Sequence, residues 1–182
     1  IYDNSRGIEV IKGTHFSPEG KHDEADPHLW TSVPNAIAIS RNMLDAVIEL
    51  DPDHADVYKE NYNKFKSELE ALDARINEQL AAKRGTAFIV WHPSLSYFAR
   101  DYGLQQVCLE YEGKEIPIDK LKENIDAARA SGATVLFVQR EFDSRQVETI
   151  GGELGVKMVK INPLSYDWET EMINIANAIA SN

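Results

Sequence analysis

Between residues 58 and 80 the apolar positions Tyr58, Tyr62, Phe65, Leu69, Leu72, Ile76 and Leu80 recur at steps of four, three, four, three, four and four. Those steps place them all on one face of a helix. Asp51-Pro52-Asp53 supplies a start signal, and a helix from Asp53 to Lys83 would run roughly 45 Å at 1.5 Å per residue. The stripe covers only about three heptads, so the pattern predicts a spine lying along a domain rather than a coiled coil. Ahead of it, Pro34 opens a helix that runs through Ile37, Met43, Leu44, Val47 and Ile48 to about Leu50. Residues 8–11 predict a short strand. Residues 12–33 predict a loop, since Gly13, Pro18, Gly20 and Pro27 break any period.

After Gly85 the texture changes. Apolar runs at 87–91, 105–109, 134–138 and 156–161 predict strands, and helical stretches at 94–102, 118–131, 144–154 and 168–181 lie between and after them. Gly132 and Gly155 fit helix exits. Strand and helix alternating through short connections predicts an α/β fold with a parallel sheet and crossover helices. The front of the chain, by contrast, cannot bury itself with one short strand, one loop and one helix. The expected organisation is therefore a remnant of an N-terminal α/β lobe at 1–50, a long connecting helix at 51–84 and a complete C-terminal lobe with a four-stranded parallel sheet at 85–182.

Composition narrows the partners. The 182 residues carry 30 acidic and 19 basic side chains, a formal charge of −11. Phosphate binding needs a basic face, so nucleic acid is disfavoured, as are anionic membrane surfaces. A cation ligand is permitted, and so is a plain solvated acidic surface. The single cysteine, Cys108, lies in the apolar run Val107-Cys108-Leu109 and reads as a buried, inert thiol. No stretch reaches the roughly 18 apolar residues of a membrane span. The chain shows no signal-peptide pattern and starts Ile1-Tyr2-Asp3, so it is expected to be mature or trimmed.

Ligands of an open parallel sheet collect beyond the carboxyl ends of the strands. His92 follows the first of them, directly before Pro93, and can offer a ring nitrogen to the crevice there. Glu110, Glu112 and Glu115 follow the second strand, Gln139 and Glu141 the third, and Asp167 the fourth; a second histidine, His28, can be placed at a comparable position. Imidazole and carboxylate suit zinc or manganese, and zinc sites usually take four donors. Each residue has a plainer reading. His92 could cap a helix, Asp167 occupies the N-cap position of 168–181, the glutamates could be solvated loop charges, His54 opens the long helix, and His15 and His22 sit in a polar loop. No Gly-x-Ser-x-Gly elbow, phosphate loop, His-Glu-x-x-His or Cys-x-x-Cys pair occurs.

Taken together the motifs resemble one family. Asp26-Pro27-His28-Leu29-Trp30 resembles the D-P-H-x-W segment of cluster A-I solute-binding proteins, the zinc- and manganese-binding components of bacterial ABC importers (the ZnuA/TroA-like group). Trp91-His92-Pro93-Ser94-Leu95-Ser96-Tyr97-Phe98 with Tyr102-Gly103-Leu104 resembles their second histidine motif. Glu115-Ile116-Pro117, Phe137-Val138-Gln139-Arg140-Glu141-Phe142 and Asn162-Pro163-Leu164 are similar to three further family segments, and the long helix to the rigid helix between their lobes. The resemblance implies that His28 and His92 bind metal, with Asp167 as carboxylate donor. A further family histidine belongs to the part of the N-terminal lobe expected to be absent, which predicts weak binding by this chain. Zinc-binding members often carry a long histidine-rich loop before D-P-H-x-W, where this chain has only His15 and His22.

The expectation is thus extracytoplasmic or periplasmic binding of Zn²⁺, with Mn²⁺ second, for delivery to an ABC transporter permease. It includes no catalysis, no nucleic acid, and membrane contact only through the permease or a lipid anchor outside this chain. The alternatives are a metal-dependent hydrolase using Glu115 or Glu141 as general base, or a structural α/β domain without a ligand.

Overall fold

The computed structural model describes residues 1–12, 25–109, 118–139 and 145–181. His15, His22, Glu110, Glu112, Glu115 and Glu141 lie outside them.

Helix α1 (Val33–Leu50) begins where the Ser32 hydroxyl accepts the Asn35 N–H at 3.0 Å, with Pro34 in the first turn. A bonded side-chain oxygen at the N-cap and a proline whose missing N–H costs nothing there are what start it. It stops at Asp51, and a short 3-10 turn (Pro52–His54) leads into α2 (Ala55–Leu80). Tyr58 donates to the Asp51 carboxylate at 2.6 Å and His54 Nδ1 lies 2.9 Å from it, pinning the joint. Those two hydrogen bonds hold the Asp51 carboxyl below its ordinary pKa. The predicted stripe divides along α2. Leu69, Leu72, Ile76 and Leu80 are buried, whereas Phe65 is exposed, and the helix also packs on α1. Met43, Val47 and Leu50 of α1 are exposed as well.

The rest of the chain builds the sheet. Strands β1 (Ala87–Val90), β2 (Gln105–Cys108), β3 (Val135–Gln139) and β4 (Lys157–Ile161) lie in the order β2-β1-β3-β4. All pairings are parallel, with Val90 opposite Cys108 and Phe137, and Gln139 opposite Ile161. Helices α3 (Ser96–Tyr102), α4 (Ile118–Ala130) and α5 (Arg145–Leu154) lie between successive strands, and α6 (Trp168–Ala180) follows β4.

Successive strand residues point to opposite faces, so an uninterrupted apolar strand needs cover on both sides. Phe88, Val90, Phe137 and Ile161 meet α2, α3 and α6 through Ile76, Leu80, Phe98, Met172 and Ile175. Ile89, Trp91, Leu136 and Val138 meet α4 and α5 through Ile125, Ala128, Val147 and Ile150. Edge strand β4 carries Lys157 and Lys160 at exposed positions, which discourages pairing with another chain.

The expected strand at 8–11 is absent. Its backbone groups find other partners: Ile11 N–H donates to the Tyr97 hydroxyl at 3.2 Å, and Ile11 C=O accepts from Asp26 N–H at 2.8 Å. Only an isolated antiparallel bridge, Lys12 to Ala25, follows. Among the described residues no helix is long and apolar enough to cross a membrane.

Two stability measurements test this packing. Ile76, fully buried between α2 and the sheet, should cost about 2–5 kcal/mol on Ile76→Ala in denaturant unfolding. Gly155 adopts φ +65° after α5, with open space where a Cβ would stand. Gly155→Ala should therefore cost about 1–2 kcal/mol from backbone conformation alone.

Candidate metal centre

Strand β1 delivers His92 to the carboxyl edge of the sheet. Trp91 N–H still bonds Phe137 C=O at 2.9 Å, and beyond it Ser94 N–H returns to His92 C=O at 2.8 Å, closing a turn over Pro93. Neighbouring strands fasten this turn. Gln139, at the end of β3, donates to Ser94 Oγ at 2.6 Å. Gln106 of β2 accepts Leu95 N–H at 2.8 Å and donates to Ser96 Oγ at 2.9 Å. His92 thus rides on a turn tied to the sheet on both sides of its strand.

His28 arrives from the other direction. Asp26 Oδ1 accepts His28 N–H at 2.9 Å, an Asx-type turn across Pro27, and Thr31 bonds His28 C=O through both its N–H and its hydroxyl. Two side chains clasp this segment to the C-terminal unit. Tyr97 of α3 donates to Asp26 C=O at 2.8 Å, and the Trp30 indole N–H donates to Pro163 C=O, in the β4–α6 turn, at 3.0 Å. Trp30 also lies against the His28 ring, centroids 5.5 Å apart.

The two imidazoles meet. Nε2 of His28 is 3.3 Å from Nε2 of His92, with the rings nearly perpendicular at 79°. On its other side, His28 Nδ1 lies 2.7 Å from Asp26 Oδ1. Asp26 is 1% exposed. Burial pushes its carboxyl up, but the hydrogen bonds from the His28 ring and main chain outweigh that, and its pKa lies below the ordinary carboxylate value.

Not every expected donor joins this pair. Asp167 stands exposed at the N-cap position of α6, and its side chain makes no capping hydrogen bond. The turn that reaches the His28 segment is the one through Pro163, and Asp167 comes after it, where the chain already enters α6. Among the described residues no group of three or more His, Cys, Asp or Glu side chains is placed to hold an ion. Cys108 donates to Trp91 C=O at 3.3 Å, and His54 belongs to the α1–α2 joint.

The residue that sequence reading passed over is Asp26, quoted only as part of a motif. A signal was present: an aspartate two positions before a candidate histidine, separated by proline, is the pattern of a side chain that bonds forward onto the next turn. Tyr97 and the Trp30 indole carried no such signal, because their partners are remote in sequence.

Comparison with known proteins places the fold in a family. A zinc-binding lipoprotein, AdcA, of Streptococcus pneumoniae is 29% identical over 161 residues, covering 87% of this chain and 32% of its own. A crystal structure of ZnuA superposes with a TM-score of 0.87 at 34% identity, covering 99% of this chain and 68% of that one. FpvC from Pseudomonas aeruginosa, solved in complex with Mn²⁺, superposes with a TM-score of 0.82 at 26% identity, covering 98% and 68%. The chain therefore spans about a third of the length of AdcA and about two thirds of that of ZnuA. The family model for the periplasmic component A of zinc-uptake complexes matches residues 1–181, and with the four-stranded parallel sheet and the meeting histidines in place, the chain belongs to that ZnuA family of ABC-importer substrate-binding proteins.

Proposed function

We propose that this chain binds a divalent transition metal ion between His28 and His92, Zn²⁺ in first place and Mn²⁺ in second, and that the ion is cargo rather than catalyst. One observation carries the reading: the 3.3 Å separation of the two Nε2 atoms. Two nitrogens each about 2.0–2.1 Å from a tetrahedral ion stand about 3.3 Å apart. That match of spacing supports a shared ion between the two rings.

The chemistry of the pair supports zinc over manganese. Imidazole nitrogen suits zinc, whereas manganese prefers carboxylate, carbonyl and water oxygen. Asp167 is the carboxylate proposed to join the two histidines, from its place just after the Pro163 turn that bonds Trp30. AdcA is named for zinc binding, and FpvC was solved with Mn²⁺, so relatives with this fold span both ions. Membership of the family supports the proposed setting: capture outside the cytoplasmic membrane and hand-over to an ABC permease, with no bond made or broken in the cargo.

Zinc titration with a competing chelator tests the pair. His28→Ala and His92→Ala should each weaken Zn²⁺ binding by at least about 100-fold, beyond the 10–100-fold typical of an outer-shell partner, while His54→Ala should leave it unchanged. Wild-type affinity in His92→Ala would remove that residue from the site. Saturating zinc should raise the melting temperature of the wild type, by about 2.7 kcal/mol of added stability at a free ion concentration 100 times Kd, and should raise that of His92→Ala much less.

A further inference from the structure

We infer that Asp26 is the positioning residue of this centre, fixing which nitrogen of His28 faces the ion. The inference rests on His28 and His92 being ligands, and it adds a residue that would touch no metal.

A carboxylate only accepts hydrogen bonds. Asp26 Oδ1 lies 2.7 Å from His28 Nδ1, so Nδ1 carries the ring proton. A lone pair on Nδ1 would instead face an anionic oxygen at that distance. The neutral ring then has its lone pair on Nε2, the atom that faces His92 Nε2 at 3.3 Å. The tautomer needed for coordination is thereby selected before any ion arrives, and the ring plane is held with it. An imidazole whose far N–H is bonded to a carboxylate is also a stronger donor toward a metal, and such outer partners commonly matter for affinity.

The carboxylate is itself held still. Its main-chain N–H bonds Ile11 C=O at 2.8 Å, and its C=O accepts the Tyr97 hydroxyl at 2.8 Å. Tyr97 is fully buried on α3. An Asx turn alone would explain the bond from Asp26 Oδ1 to His28 N–H. It would not explain why the same oxygen also takes the ring N–H of that histidine. The position of His28 is thus transmitted from the buried α3 through Tyr97 and Asp26 to the imidazole.

The first test needs no metal and no variant. Nitrogen-15 NMR of the unliganded wild type, at a pH where the rings are neutral, should show His28 protonated on Nδ1; protonation on Nε2 overturns the inference. Asp26→Asn, which keeps the shape and removes the charge, should mix the two His28 tautomers and weaken Zn²⁺ binding by about 10–100-fold. In a His28→Ala background the same substitution should change zinc affinity little, because Asp26 acts through that ring. An equal loss in both backgrounds would make its role merely structural and overturn the inference, as would wild-type affinity in Asp26→Asn. If the wild type binds no zinc, the functional reading falls and takes the affinity claim with it. A wild type that binds zinc beside an Asp26→Asn variant that binds as well overturns only the role of Asp26.

Discussion

The phenol of Tyr97 is the contact on which the site depends. It is buried on α3, it accepts Ile11 N–H, and it donates to Asp26 C=O. Unpaired, the two main-chain groups would cost free energy wherever water cannot reach them. Through one hydroxyl they are joined to each other and to the C-terminal unit. Arg100, one turn on along α3, adds to this seam: its guanidinium donates to Glu9 C=O at 2.8 Å and lies over the Tyr97 ring. Ser32, the cap of α1, donates to the Asp101 carboxylate next door. One short helix therefore holds the N-terminal segment against the sheet, and the meeting of His28 with His92 follows from that seam.

The second constraint is the two-faced sheet. Helices α4 and α5 seal one face, while α2, α3 and α6 seal the other. With both faces spent on packing, the carboxyl edge is what remains for chemistry, and the His92 turn lies there. The spine serves both ends of the molecule. Its later residues complete the core, and its earlier ones lie with α1, where Phe65, Met43, Val47 and Leu50 remain exposed.

Elements written in local periodicity were legible in the sequence. The stripe from Tyr58 to Leu80 became α2, and four apolar runs became four parallel strands with ends shifted by a residue or so. Gly132 and Gly155 mark helix exits because both take positive φ, a property of the residue itself. What failed was non-local. Ile8 to Ile11 has strand composition, but Glu9 bonds Arg100 and Ile11 bonds Tyr97 and Asp26, partners that no local pattern reveals. Asp167 lies in sequence just past a strand end, and the folded chain places it exposed at the head of α6. His92 could be named from its place after a strand, with His28 beside it and a family resemblance supporting both, but the two are 64 residues apart and only the folded chain brings their rings together.

The order of the strands has a consequence for how long the centre survives thermal motion. β2 and β4 lie at the edges, and β1, which leads into His92, lies inside between β2 and β3. Partial opening begins where backbone hydrogen bonds meet solvent and where few groups pack. Either margin can open while β1 keeps a hydrogen-bonded neighbour on its other side. The turn that carries His92 keeps one tether as long as either Gln106 or Gln139 stays in place.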